Sequence, residues 1–154
     1  MKPILTKTGS LPNLPWQERP ADCTAPVWRY QENPIISRNP IPGVARIFNS
    51  AVIPYEDAFV GVFRGEQVNG IPFIYFGRSA DGIHWTFDQE KIQFLDENGE
   101  PFQPVYAYDP RLVEVDGTYY VIWCQDAYGA AIGMAKTTDF QTFVRVENPF
   151  LPFN

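Results

Sequence analysis

The chain has 154 residues, of which 45% are apolar and 16% aromatic, enough for one domain with a real core and too much apolar character for a disordered chain. Its formal net charge of −6, with no lysine- or arginine-rich run, argues against a nucleic-acid backbone as partner. Fifteen prolines and eleven glycines leave few windows long enough for a helix and point to an all-β chain with many turns.

Residues 1–45 are rich in proline and poor in periodicity. Pro12, Pro15, Pro20, Pro26, Pro34, Pro40 and Pro42 favour extended, turning segments. Trp16 and Trp28 are costly to expose, so this stretch reads as a wrapping arm packed on something else, not as a separate domain. Met1-Lys2-Pro3-Ile4-Leu5 has no continuous apolar run, so no secretory signal is expected. No segment reaches membrane-spanning length. Cys23 and Cys124 lie far apart and outside any CxxC pair. A zinc site is therefore not expected, and a reducing, cytoplasmic setting is. Cys124 ends an apolar run and reads as a buried thiol.

From Arg46 onward, strands alternate with turns. Strands are predicted over Phe48–Ile53, Ala58–Phe63, Ile71–Gly77, Ile83–Phe87, Leu112–Val115, Thr118–Cys124, Ile132–Lys136 and Thr142–Val146. Asn69-Gly70, Asp81-Gly82 and Asp116-Gly117 are turn signals, and Asn98-Gly99 marks a longer loop. The pattern repeats. A shift of 60 lays Phe48-Asn49-Ser50 on Tyr108-Asp109-Pro110 and Phe63-Arg64 on Trp123-Cys124. A shift of 58 then lays Arg78-Ser79-Ala80-Asp81 on Lys136-Thr137-Thr138-Asp139 and Trp85 on Phe143. Ser/Thr-x-Asp followed by an aromatic is a hairpin device in which hydroxyl and carboxylate bind turn amides and the ring fills the core. Asp81 and Asp139 are therefore read as structural.

Four strands recurring at a nearly fixed period indicate β-propeller blades. The expected layout is the arm over 1–45 and two blades over 46–154. Two blades do not close a ring, so either the chain is the amino-terminal portion of a longer propeller or it is not a propeller; its ending, Asn148-Pro149-Phe150-Leu151-Pro152-Phe153-Asn154, favours the first. On that layout Asn49 and Asp109 hold the same place in successive innermost strands and point into one cavity, with Ser50 and Tyr108 beside them. Arg64 stands where the second copy has Cys124; it reads equally as a site residue or as an arginine snorkelling to the rim. Asp109 lies in Tyr106-Ala107-Tyr108-Asp109-Pro110-Arg111. Taken alone, that hexapeptide is a β-turn with Arg111 paired to Asp109. Its rings and guanidinium are also the surroundings with which a site tunes a general acid. His84, Trp123, Asp126 and Tyr128 read as turn, core or loop residues.

The stretches Pro15-Trp16-Gln17-Glu18-Arg19-Pro20, Asn33-Pro34-Ile35-Ile36, Ile47-Phe48-Asn49-Ser50-Ala51-Val52, Gly61-Val62-Phe63-Arg64, Tyr108-Asp109-Pro110-Arg111 and Leu151-Pro152-Phe153-Asn154, in this order and spacing, resemble the amino-terminal part of the mannoside phosphorylases. These are five-bladed propeller enzymes that act on β-1,4-mannooligosaccharides or mannosylglucose. The resemblance implies a glycosyl-transferring enzyme of carbohydrate metabolism. It would cleave a β-mannoside with inorganic phosphate, invert the anomeric centre and release α-mannose 1-phosphate. Phosphate is then a co-substrate, with no other cofactor and no metal. The resemblance further implies Asp109 as general acid and Asn49, Ser50, Arg64 and Tyr108 as sugar-pocket residues, with Arg111 orienting Asp109 or its loop. It also implies a homo-oligomer in the complete enzyme. One carboxylate suffices because phosphate, unlike water, needs no base. The family's main phosphate-binding arginines and lysine have no counterpart before Asn154, so the isolated chain is expected to be inactive. Two alternatives follow from the same residues: a β-mannoside hydrolase on this fold, or a non-catalytic sugar-binding or assembly fragment.

Overall fold

A computed structural model describes residues 17–126 and 129–150. The readings of Trp16, Tyr128 and Leu151–Asn154 fall outside those residues. The described residues form β1 (Val44–Tyr55), β2 (Ala58–Gln67), β3 (Pro72–Ser79), β4 (Thr86–Lys91), β5 (Phe94–Leu95), β6 (Pro101–Phe102), β7 (Tyr108–Val115), β8 (Thr118–Asp126), β9 (Ala130–Thr137) and β10 (Phe143–Phe150). No helix among them is long and apolar enough to cross a membrane. One sheet has the order β1-β2-β3-β4, and the other β6-β5-β10-β9-β8-β7. The pairing is antiparallel except that β5 runs parallel to β10.

The repeat is visible in the backbone. Phe48 pairs with Arg64, and Tyr108 pairs with Cys124, so the 60-residue shift carries one cross-strand pair onto the next. Positive φ recurs at equivalent places: 23° at Asn49 and 53° at Asp109, 53° at Glu56 and 51° at Asp116, and 75° at Gly82 and 55° at Phe140. The two hairpin devices match bond for bond. The Ser79 hydroxyl accepts from the amides of Asp81 and Gly82, and the Asp81 carboxylate accepts from Ile83 and His84. The Thr137 hydroxyl accepts from Asp139 and Phe140, and the Asp139 carboxylate from Gln141 and Thr142. This device corrects one predicted strand. Ile83 and His84 lie in the turn because the Asp81 carboxylate holds their amides, Trp85 donates through its indole N–H to the Gly82 carbonyl, and the fourth strand runs Thr86–Lys91 instead. The loop around Asn98-Gly99 carries the two short strands β5 and β6, which extend the second blade past β10.

Each blade is apolar on both faces where it has something to cover. Val60, Val62, Ile74 and Phe76 of the first blade pack with Val121, Trp123, Ala135, Phe140 and Phe143 of the second in a single core. Trp123 is 1% exposed and stacks on Phe94 at 4.3 Å. The opposite face of the first blade packs Phe73 and Tyr75 with Ile41 and Val44. Arm residues Ile35, Ile36 and Pro40 share a cavity of about 180 Å³ with Trp85 and Phe87 on that face. The second blade's outer face is different. Ile122, Ile132 and Met134 are only half-buried, whereas their counterparts Val62, Ile74 and Phe76 are at most 1% exposed.

Candidate functional site

The site is built from one irregularity used twice. The β1–β2 register slips between Phe48 and Ser50, leaving Asn49 as an extra residue. The β7–β8 register slips between Tyr108 and Arg111, around Asp109. A bulge of this kind re-aims the side chain of its extra residue. Both extra residues hold positive φ, which asparagine and aspartate tolerate better than other non-glycine residues. The two re-aimed side chains meet: Asn49 Nδ2 donates to Asp109 Oδ1 at 2.7 Å.

Arg64 donates to the same oxygen through Nη1 at 3.0 Å. Its guanidinium lies 5.2 Å from the Phe48 ring centre and 5.4 Å from that of Tyr108, so two repeat-equivalent aromatics flank one cation. Its other fork nitrogen, Nη2, is 3.7 Å from Glu66 Oε2, and Glu66 Oε1 accepts from Arg46 Nη2 at 2.8 Å. Asp109 Oδ2 makes no hydrogen bond among the described residues. The carboxylate therefore has one oxygen fixed by two donors and one oxygen open. Burial, with Cys124, Tyr106 and Asp109 close by, holds the Tyr108 phenol above the usual tyrosine range against the opposing pull of Arg64.

The predicted residues are thus distributed as follows. Asn49, Arg64, Tyr108 and Asp109 form one cluster. Ser50 is exposed on β1 beside Asn49. Arg111 is exposed and donates through Nη1 to the Pro110 carbonyl at 2.8 Å; the cation on the Asp109 carboxylate is Arg64, so the turn with an Arg111–Asp109 pair does not form. Cys124 is half-buried, not buried, beside Tyr108. His84 is exposed on Asp81, and Asp126 accepts from the Gly129 amide. A cavity of about 470 Å³, lined by Asp96, Glu97, Arg145, Val146, Glu147 and Asn148, lies at the edge of the second blade and does not include this cluster. In the cluster the Asp109 side chain is 31% exposed and that of Arg64 25%. Among the described residues no group of three or more His, Cys, Asp or Glu is placed to hold a metal.

The family model described as beta-1,4-mannooligosaccharide phosphorylase matches residues 7–154. The chain belongs to the beta-1,4-mannooligosaccharide phosphorylase family. A curated relative, the beta-1,4-mannooligosaccharide phosphorylase of Ruminococcus albus, is 45% identical across all of this chain and 48% of its own length. The chain therefore spans about half the length of that relative. The beta-1,2-mannobiose phosphorylase of Listeria innocua, solved with beta-1,2-mannobiose, superposes with a TM-score of 0.63 at 19% identity, over 81% of this chain and 52% of that one. A second solved structure comes from work on mannoside phosphorylase relatives that are glycoside hydrolases acting on beta-1,2 mannosidic linkages in Candida mannan. It gives 0.56 at 20% identity, over 68% and 32%. At these identities the two structures show the fold alone, and the two sheets here are two blades of the family's propeller.

Sequence reasoning missed Arg46, Phe48 and Glu66. Their signal was the alternation Arg46-x-Phe48 facing Arg64-x-Glu66 across one hairpin. It becomes readable only once the bulge at Asn49 is known, because without it the register falls one residue out.

Proposed function

We propose that this chain is the amino-terminal part of a mannoside phosphorylase and carries the general acid, Asp109. One observation supports the reading above the others: Asn49 and Arg64 both bind Asp109 Oδ1, which leaves Oδ2 to face a sugar. Inorganic phosphate attacks the anomeric carbon of a β-mannoside from the face opposite the leaving sugar. The phosphate O–C1 bond forms as the C1–O bond to the leaving sugar breaks, giving α-mannose 1-phosphate. The leaving oxygen takes a proton that originates on Asp109 Oδ2 and passes through a mannose hydroxyl. Asn49 and Arg64 hold the carboxyl in line, and Ser50 and Tyr108 line the pocket, with Arg111 tying down the Pro110 carbonyl at the bulge.

The acid in this reading acts without a catalytic base, because phosphate arrives as an anion and needs cationic and amide donors to hold it. Those donors belong to the part of the relatives that this chain does not span. The half-buried face of Ile122, Ile132 and Met134 is where a third blade packs. On this account the isolated chain does not turn over substrate.

The test is a chimera in which residues 1–154 replace the matching segment of the Ruminococcus albus enzyme. Incubated with a β-1,4-mannobiose, it releases mannose 1-phosphate only when phosphate is present. Equal sugar release with and without phosphate identifies a hydrolase instead. A folded chimera with neither activity identifies a fragment that binds or assembles without catalysis.

A further inference from the structure

Arg64 has three places at which a neighbour can fix it, and the structure uses them unequally. Nη1 bonds to Asp109 Oδ1, which it shares with Asn49. Nε is buried with no hydrogen-bond partner among the described residues. Nη2 faces Glu66 at 3.7 Å, within ion-pair range and beyond a hydrogen bond. Glu66 does not wander, because Arg46 grips its other oxygen through Nε at 3.1 Å and Nη2 at 2.8 Å. Arg46 and Glu66 are direct cross-strand partners, as are Phe48 and Arg64 one step along. Charges therefore alternate in sign along one row: Arg46, Glu66, Arg64, Asp109.

We infer that Glu66 is a positioning residue that keeps the Arg64 guanidinium between Phe48 and Tyr108 when Asp109 carries its proton. The functional half of this statement rests on the reading of Asp109 as an acid. Before it can donate, that acid is neutral, and Arg64 then loses the counter-charge at Nη1. Nε has no acceptor to hold the stem, and the long side chain has several rotamers to lose. Among the described residues Glu66 is the one remaining anion against the fork, and its side chain is 17% exposed, less than that of Asp109 at 31%. The repeat supplies an internal control. The second-blade counterparts of Arg46, Arg64 and Glu66 are Tyr106, Cys124 and Asp126, and Asp126 accepts from a loop amide instead. A blade of this kind forms without the charge row, so the sheet does not require it.

The test uses the 154-residue chain carrying Asp109→Asn, which stands in for the neutral acid and is the parent for the variants below, with its arginines labelled with nitrogen-15, reading hydrogen exchange of the Arg64 Nε–H, assigned by its loss in Arg64→Lys. In the parent chain this proton exchanges slowly. In Glu66→Gln, which keeps the shape, it exchanges at least about tenfold faster. In Arg46→Glu with Glu66→Arg, the cross-strand pair and its contribution to melting temperature return, but a cation now faces Arg64 and the fast exchange remains. Glu66→Asp, which keeps the charge, stays close to the parent and serves if Glu66→Gln does not fold. Unchanged exchange in Glu66→Gln, or slow exchange recovered in the swapped pair, overturns the inference. In the chimera, Glu66→Gln lowers kcat by up to about a hundredfold, the scale of a misplaced catalytic group, with a smaller change in KM. An inactive parent chimera sinks the phosphorolysis reading and leaves the exchange result to decide the positioning.

Discussion

The contact between Arg64 and Asp109 joins the two blades at the proposed acid, and a double-mutant cycle measures it. Arg64→Met keeps the apolar stem against Phe48 and Tyr108 and removes the charge; Asp109→Asn keeps the shape and removes the other. The charged atoms are 3.0 Å apart. The gross attraction at an effective dielectric of about 20 is about 5 kcal/mol. Solvent and desolvation offset most of this, because the side chains are 25% and 31% exposed. Fully exposed pairs couple by about 0.2–1 kcal/mol, and stranding one partner of a fully buried pair costs about 3–5 kcal/mol. A coupling of about 1–2 kcal/mol is expected for this intermediate burial. The assay is urea unfolding of the parent, the two single variants and the double variant at pH 7, followed by tryptophan fluorescence. Each single variant lowers stability by more than the double variant's further loss, and the coupling shrinks in about 1 M salt as screening shortens to a few ångströms. A coupling below about 0.3 kcal/mol, within the additivity of distant sites, refutes the reasoning that Arg64 is held by Asp109.

The hairpin devices predict a pH dependence. Hydrogen bonds from the His84 side chain and from the His84 and Ile83 amides hold the Asp81 carboxyl well below the usual range, and the Thr142 and Gln141 amides hold Asp139 below it. Carboxyls that titrate lower in the folded chain stabilise it above about pH 4 and lose that contribution as pH falls further. Asp81 also raises His84, whose contribution is complete below about pH 6.5 and disappears as pH rises through its raised pKa. Melting temperature against pH should therefore fall at both ends in the parent, and Asp81→Asn should flatten both limbs while Asp139→Asn flattens only the acid one. Gly133→Ala tests the core under the site. An added Cβ would sit 2.4 Å from Trp123 Cε2 and 2.6 Å from Gln125 Oε1, too close for either buried group to yield cheaply. Overpacking of about 1–3 kcal/mol lowers the melting temperature by about 3–10 °C; a loss under about 1 °C contradicts the packing described.

What the sequence disclosed, and what it hid, divide along a physical line. The repeat was legible because side-chain pattern and turn chemistry are local. Ser79-x-Asp81 and Thr137-x-Asp139 announce their own hydrogen bonds, and a shift of 60 superimposes Asn49 on Asp109 without any knowledge of the sheet. The meeting of Asn49 with Asp109 follows from the same equivalence once blades stack around an axis. The partner of Asp109 was less legible. Arg111 is two residues away and Arg64 is forty-five, and only the bulge decides which guanidinium the carboxylate faces. The start of β4 was misplaced for a related reason: the run Ile83-His84-Trp85 reads as strand until the Asp81 carboxylate is seen to hold the Ile83 and His84 amides. Strands β5 and β6 are two residues each; β6 pairs with β5, and β5 joins the sheet only through the distant β10, which no local pattern reveals.

The central claim is that Asp109 is the proton source for phosphorolysis, and one substitution reaches it directly. Asp109→Asn in the Ruminococcus albus chimera retains the carbonyl oxygen that Asn49 and Arg64 hold and removes the acid. Loss of general acid assistance is worth about 10²–10⁴-fold. The account predicts a fall of that size in mannose 1-phosphate release from an otherwise folded protein. Turnover within about twofold of the parent chimera would contradict it.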